Sequence, residues 1–133
     1  MYKFGQIKRF NDILDQFFDY IEEIFPYYQS EIILIRNGML LIRKSNARLV
    51  VEQFIEYVSP YSKQLYDCNE DFFLNFENNI SLNSQNMLFG LKLKSLWLEN
   101  LNNHTEEEIL RQKAIIFNFF HKLLKAAFSV QNN

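Results

Sequence analysis

Hydrophobic residues recur every three or four positions along most of the chain, the spacing that places them on one face of an α-helix. The first such segment covers residues 3–25 and stops at Pro26, whose ring cannot continue a helix. Its apolar positions are Phe4, Ile7, Phe10, Leu14, Phe17, Phe18, Ile21 and Phe25. The pattern predicts a long first helix that buries one face.

A second helix is predicted over residues 28–43. Its apolar stripe consists of Tyr28, Ile32, Ile35, Met39 and Ile42. Because Ile33 and Leu34 extend the apolar run, the start of this segment also fits a short strand. Gly38 weakens a helix here by about 1 kcal/mol relative to Ala.

The middle of the chain predicts shorter elements. Residues 47–58 have helical spacing, and Ser45 or Asn46 is positioned to cap that helix. Pro60 lies where a short fourth helix would place its first turn. An Asn-rich surface loop is predicted next, before a helix over residues 86–101.

The last helix has the clearest start signal in the sequence. Thr105 and Glu108 have the spacing of a capping box, in which each residue's side chain binds the other's backbone amide. From Ile109 to Val130 apolar residues cover more than half of the helix circumference, which is typical of a central helix. The sequence therefore predicts an all-α fold, a single domain over residues 1–133 made of roughly five to six helices around the C-terminal one.

The wide apolar arc of the last helix has two interpretations. Either other helices of the domain wrap it, or one flank contacts a partner chain. Ile116 and Phe120 lie mid-arc and are expected in the core, whereas Ile115 and Phe119 lie towards its edge and are candidate interface residues. Lys113 falls within the apolar arc, where it extends its charge to water or pairs with a carboxylate such as Asp71.

The first helix carries carboxylates on the side opposite its apolar face. This acidic stripe consists of Asp12, Asp15, Asp19, Glu22 and Glu23. It is either a solvated face or a docking surface for a basic partner. Asp12, Asp15 and Asp19 are therefore candidate interface residues, although aromatic residues, 17% of the chain, are the more usual mark of an interface.

Catalytic and metal-binding patterns are sparse. The chain has two His, one Cys and three Gly, and it lacks nucleophile-elbow, zinc-protease, phosphate-loop and dinucleotide motifs. Cys68 with His104 or His121 is the only nucleophilic pair that folding could assemble. We therefore expect no enzymatic activity, no catalytic residue, no metal and no cofactor.

Nucleic-acid binding is the alternative function that the charges allow. Arg36, Arg43, Lys44 and Arg48 surround one turn between helices and could contact a few phosphates. The formal net charge is −2, so no long-range attraction to polyanions is expected. Any binding would be weak and salt-sensitive, and we do not expect nucleic acid to be the partner.

The sequence gives no sign of membrane targeting. No apolar run approaches the roughly 20 residues that span a bilayer, and the start MYKFGQIKRF lacks the apolar core of a signal peptide. A single cysteine forms no intrachain disulfide. A cytosolic compartment, or a particle assembled there, is the expectation.

Three short aromatic motifs carry a resemblance to a known group of proteins. They are Tyr57-Val58-Ser59-Pro60-Tyr61, Asp71-Phe72-Phe73 and the run from Leu91 to Trp97 that contains Leu93-Lys94 and Leu96. With the acidic start of the last helix, they resemble uncharacterised helical proteins of nucleocytoplasmic large DNA viruses, of the Marseillevirus and Mimivirus kind. Those proteins often carry Trp and Tyr where this chain has Ile116 to Phe120.

The resemblance implies a viral origin and a place in the host cytoplasm, in a virus factory or in the virion, and it implies no activity. Together with the apolar last helix, it leads us to expect a non-enzymatic structural or adaptor protein. Its partner would be another protein, including a second copy of itself. A weak nucleic-acid-binding or regulatory module is the alternative.

Overall fold

The computed structural model of the chain describes residues 2–69 and 101–131, and the regular elements in those ranges are all helical. The α-helices are α1 (Tyr2–Ile24), α2 (Gln29–Ser45), α3 (Leu49–Val58), α4 (Ser62–Tyr66) and α5 (Glu106–Gln131). Short 3-10 turns at Pro26–Tyr28 and Ser59–Tyr61 join α1 to α2 and α3 to α4. The expected all-α bundle is confirmed.

Some predicted features cannot be compared with the structure. The Asn-rich loop, all but the last residue of the helix over 86–101, and the carboxylate of Asp71 lie outside the described residues. Lys113 is half-buried on α5.

The core lies between the two longest helices, α1 and α5. Both bury a continuous apolar stripe. On α1 the buried residues are Ile7, Phe10, Leu14, Phe17, Phe18 and Ile21, and on α5 they are Ile116, Phe117, Phe120, Leu123, Leu124, Ala126, Ala127 and Val130. The predicted core positions Ile116 and Phe120 are confirmed, and α5 is the central helix that its wide apolar arc indicated.

Aromatic rings form the centre of this contact. The Phe17 ring on α1 lies 5.4 Å from the Phe120 ring and 5.6 Å from the Phe119 ring, measured between centroids. Tyr20, one turn further along α1, lies 5.9 Å from Phe119. Tilted and edge-to-face pairs of this kind contribute about 0.5–1.5 kcal/mol each beyond the area they bury.

The segment after α1 is helical from its first residues, so the alternative of a short strand is wrong. Ile32 and Met39 are buried and lie seven residues apart, a spacing that an α-helix places on one side. Tyr28, Ile35 and Ile42 pack against the core beside them. Packing of this stripe outweighs the weakening effect of Gly38 and the β-branched residues at the start.

The start of α3 differs from the expected cap. Asn46 Oδ1 accepts a hydrogen bond from the Arg48 amide (3.1 Å), which makes a turn before the helix, and no side chain caps α3 itself. The Ser45 hydroxyl instead donates back to the carbonyls of Leu41 and Ile42. Both side chains therefore stabilise the turn between α2 and α3.

The capping box of α5 is confirmed. The Glu108 amide donates to Thr105 Oγ1 (3.2 Å), and the Thr105 amide donates to Glu108 Oε1 (3.2 Å). Hydrogen bonds from the backbone and the hydroxyl of Thr105 lower the pKa of the Glu108 carboxyl below its ordinary value. Because the two hydrogen bonds that Thr105 donates stabilise the charged form of the Glu108 carboxylate, the strength of the cap depends on pH.

The first prediction concerns this pH dependence. A lowered pKa contributes stability that is present at neutral pH and lost as pH falls through the folded-state value. Thermal unfolding should therefore show Glu108→Gln less stable than wild type at neutral pH. The difference should shrink once acid protonates Glu108. A difference that stays constant across the acidic range would show that Glu108 does not act through its charge.

The second prediction concerns the α1–α5 contact. Phe120→Ala should lower the free energy of unfolding by about 3–5 kcal/mol, because it leaves a cavity beside Phe17. Chemical denaturation measures this loss. The matched control is Asn118→Ala, an exposed position on the same helix, which should change stability by less than about 0.5 kcal/mol. Equal losses in the two variants would contradict the assignment of the core.

Candidate interaction surface

The acidic stripe of α1 lies largely against α2. Arg36 Nη1 is 2.7 Å from Asp19 Oδ1 and 3.4 Å from Glu22 Oε1, and Arg43 Nη1 is 3.1 Å from Asp15 Oδ1. Later residues of α2 thus contact earlier residues of α1, so the two helices run antiparallel. These ion pairs fix the side of α2 that faces α1.

The environment of Arg36 shows how the carboxylates act. Partial burial by itself would lower the pKa of Arg36, but the hydrogen bond and charge of Asp19, together with Glu22, outweigh that effect and raise it. The guanidinium is therefore a fixed cation between α1 and α2. Of the three acidic interface candidates, Asp15 and Asp19 pair with arginines of α2. Asp12 pairs instead with Lys8 of α1 itself, at 2.7 Å on the surface.

Three of the four candidate phosphate-binding residues also have ion pairs within the domain. Arg36 and Arg43 pair with α1, and Arg48 Nε lies 2.9 Å from Glu52 Oε1. Lys44 alone of the four is exposed without an ion pair to the described part of the chain. Neutralised cations release few counterions from a polyanion, so these ion pairs weaken the case for phosphate binding by Arg36, Arg43 and Arg48.

The two candidate interface residues of α5 occupy different positions. Phe119 is half-buried and packs against Phe17 and Tyr20, so its ring belongs to the α1–α5 contact. Ile115 is half-buried one turn earlier. A charge at residue 119 would disrupt the aromatic cluster, and Phe119 is therefore unsuited to a test that leaves the fold intact.

A different apolar surface is exposed on α2. Leu34 is 68% exposed, Leu41 67%, Ile33 41% and Leu40 36%. These four residues, hereafter the outer face of α2, form two pairs at seven-residue spacing. Leu34 and Leu41 lie opposite Ile32 and Met39, and Ile33 and Leu40 lie about 100° around the helix, between these two sides. Exposed contiguous aliphatic residues of this kind mark interaction sites more often than isolated ones.

Sequence reasoning missed this surface although its signal is present. The pattern Ile33-Leu34 repeats as Leu40-Leu41, beside the core stripe of the same helix. Both stripes together make α2 apolar on two sides, and the second stripe is the exposed one. The same apolar run also fits a short strand at the start of the predicted helix, and that alternative obscures the second stripe.

The remaining large exposed apolar residues are dispersed over other elements. They are Tyr27, Tyr66, Leu101 and Leu110. Tyr66 stacks on the His121 ring at 5.3 Å. Within the described ranges, the outer face of α2 is therefore the place where several exposed aliphatic side chains lie on one helix.

His121 and Cys68 both have backbone partners on α4. His121 Nε2 lies 2.6 Å from the Leu65 carbonyl, which can only accept, so this nitrogen carries the proton. The Cys68 amide donates to the same carbonyl, and the Asn69 amide donates to Gln64, which together close a Schellman motif. Cys68 has the left-handed φ of 54° that this motif requires.

This arrangement does not form a nucleophilic dyad in the described part of the chain. The Cys68 thiol makes no hydrogen bond to His121, whose Nε2 donates to Leu65. Across the described ranges, no three His, Cys, Asp or Glu residues are grouped to hold a metal ion. A cleft of about 260 Å³ lies between Phe25 and His104.

No helix in residues 2–69 or 101–131 combines the length and hydrophobicity needed to cross a bilayer.

Comparison with known proteins adds no further constraint. No protein-family model matches the sequence, and neither a curated protein nor a solved structure is significantly similar to it.

The third prediction separates the roles of Cys68 and His121. Cys68→Ser should leave the free energy of unfolding nearly unchanged, because the backbone of residue 68, rather than its thiol, closes the motif. His121→Ala should lower it by about 1–3 kcal/mol, since the link to α4 is lost. Denaturant unfolding tests both variants. A Cys68→Ser loss as large as that of His121→Ala would contradict this account.

Proposed function

We propose that the chain is a non-enzymatic protein-interaction module, a structural or adaptor component that associates with itself. The observation that supports this proposal is the outer face of α2, four exposed aliphatic residues on one helix. Burial of apolar surface contributes about 25 cal/mol per Å², so covering this face with another chain is favourable. This surface on α2 differs from the candidate surfaces on α1 and α5 that the sequence indicated. The proposed class of function, a structural or adaptor protein, is the same.

The ion pairs between α1 and α2 support the same proposal. They pair Asp19 with Arg36 and Asp15 with Arg43, so these four charges are already engaged within the described part of the chain. Recognition by nucleic acid therefore has weaker support than recognition by a protein with an apolar surface.

The setting of this function rests on the sequence motifs alone. We propose a protein of a large DNA virus, acting in the host cytoplasm at the virus factory or packaged in the virion. Its support is the resemblance of the aromatic motifs around Pro60 and Trp97 to helical proteins of such viruses.

The fourth prediction tests self-association through the outer face. Wild-type protein should show a molar mass that rises with concentration between about 1 and 500 µM, the range expected for a modest apolar interface. The double variant Leu34→Asp/Leu41→Asp should remain monomeric and helical over that range. Size-exclusion chromatography with light scattering measures mass, and circular dichroism checks folding.

The matched control is Leu110→Asp. Leu110 is 66% exposed on α5, as accessible as Leu34 and Leu41 but on another helix. It should associate as wild type does. A monomeric wild type, or equal loss of association in the control, would contradict self-association through α2.

A further inference from the structure

Helix α2 buries a smaller fraction of its residues than any other helix in the described ranges. Two of its 17 residues, Ile32 and Met39, are buried. By comparison, eight residues of α5, six of α1 and four of the shorter α3 are buried. Because the packing of apolar side chains supplies most of the stability of a helix in a protein, α2 is attached less firmly than its length suggests.

The local features of α2 add little to this attachment. No side chain caps its start at Tyr28, and Gly38 near its middle disfavours the helical conformation. Ile35 and Ile42, beside the two buried residues, are only partly covered. A segment with few buried apolar contacts opens locally at a lower free-energy cost than the whole domain.

Ion pairs to α1 supplement the small apolar contact. Arg36 Nη1 contacts both Asp19 and Glu22, and Arg43 Nη1 contacts Asp15. The two arginine side chains are only 21% and 14% exposed, so solvent and salt screen these pairs less than pairs on the surface. Charge therefore contributes more to the attachment of α2 than to the contact of α1 with α5, which is aromatic and aliphatic.

We infer that α2 is a hinged helix that the ion pairs with α1 hold closed. It detaches as one unit while α1 remains packed on α5, at a free-energy cost below that of global unfolding. The hinges are the 3-10 turn Pro26–Tyr28 and the turn at residues 46–48. Detachment exposes Ile32 and Met39 and separates the arginines from their carboxylates. The inference concerns the inner side of α2, so it does not depend on self-association through the outer face.

Hydrogen exchange measured by mass spectrometry, at a protein concentration of about 1 µM to limit association, tests the inference. The slowest amides of α2 should exchange faster than the slowest amides of α1 and α5. Their exchange should also depend less on added denaturant, because opening α2 exposes less surface than global unfolding does. Equal rates and equal denaturant dependence in the three helices would overturn the inference.

The variant Phe120→Leu separates the opening of α2 from global unfolding. The contact of Phe120 with Phe17 is lost in global unfolding and is kept when α2 alone opens. The slowest amides of α5 should therefore exchange roughly tenfold faster, while those of α2 keep their wild-type rate. Leu is chosen instead of Ala so that the fold survives. An equal acceleration in α2 would show that α2 opens only with the whole domain.

Neutral variants test the role of charge. Arg36→Gln and Arg43→Gln should each accelerate the exchange of α2 roughly five- to thirtyfold, because each removes interactions that only the closed form makes. The matched control is Lys44→Gln, at an exposed position of the same helix, and it should change exchange by less than about twofold. Arginine variants that behave like the control would overturn the inference and leave the proposed self-association untouched.

Discussion

The packing of Phe17 against Phe119 and Phe120 joins α1 to α5, and the remaining described helices are arranged around that contact. Two long helices bury their apolar stripes against each other, and α3 and α4 also pack against α5. Arg36 and Arg43 then attach α2 to the polar side of α1. Because these attachments fix the rotation of α2, its second apolar side faces outward.

The placement of α2 determines which of its charged and apolar side chains are exposed. The charges that looked available for docking, carboxylates on α1 and arginines on α2, compensate one another within the fold. The aliphatic residues that the fold leaves uncovered are then the stronger basis for recognition. The proposal of self-association therefore depends on the placement of α2, which exposes Leu34 and Leu41.

Helix positions were largely predictable because local patterns determine them. The periodicity from Ile7 to Ile21, the stop at Pro26 and the capping box at Thr105 each act within a few residues. The interaction surface was not predictable, since it depends on which side of α2 faces α1, and that side is set by contacts across 17 to 28 residues. The same pairing gave Asp19 and Arg36 partners that sequence spacing alone could not assign. Phe119 similarly joined the core because Phe17 and Tyr20 approach it from another helix.

Hydroxyl-radical footprinting across a concentration series tests most directly the claim that a second chain covers the outer face of α2. Leu34, Leu41 and Leu110 have almost equal exposure in the single chain, so their modification rates can be compared within one sample. The account expects the rates at Leu34 and Leu41 to fall as concentration rises, while the rate at Leu110 stays constant. Unchanged rates at Leu34 and Leu41, with protection elsewhere or nowhere, would contradict it.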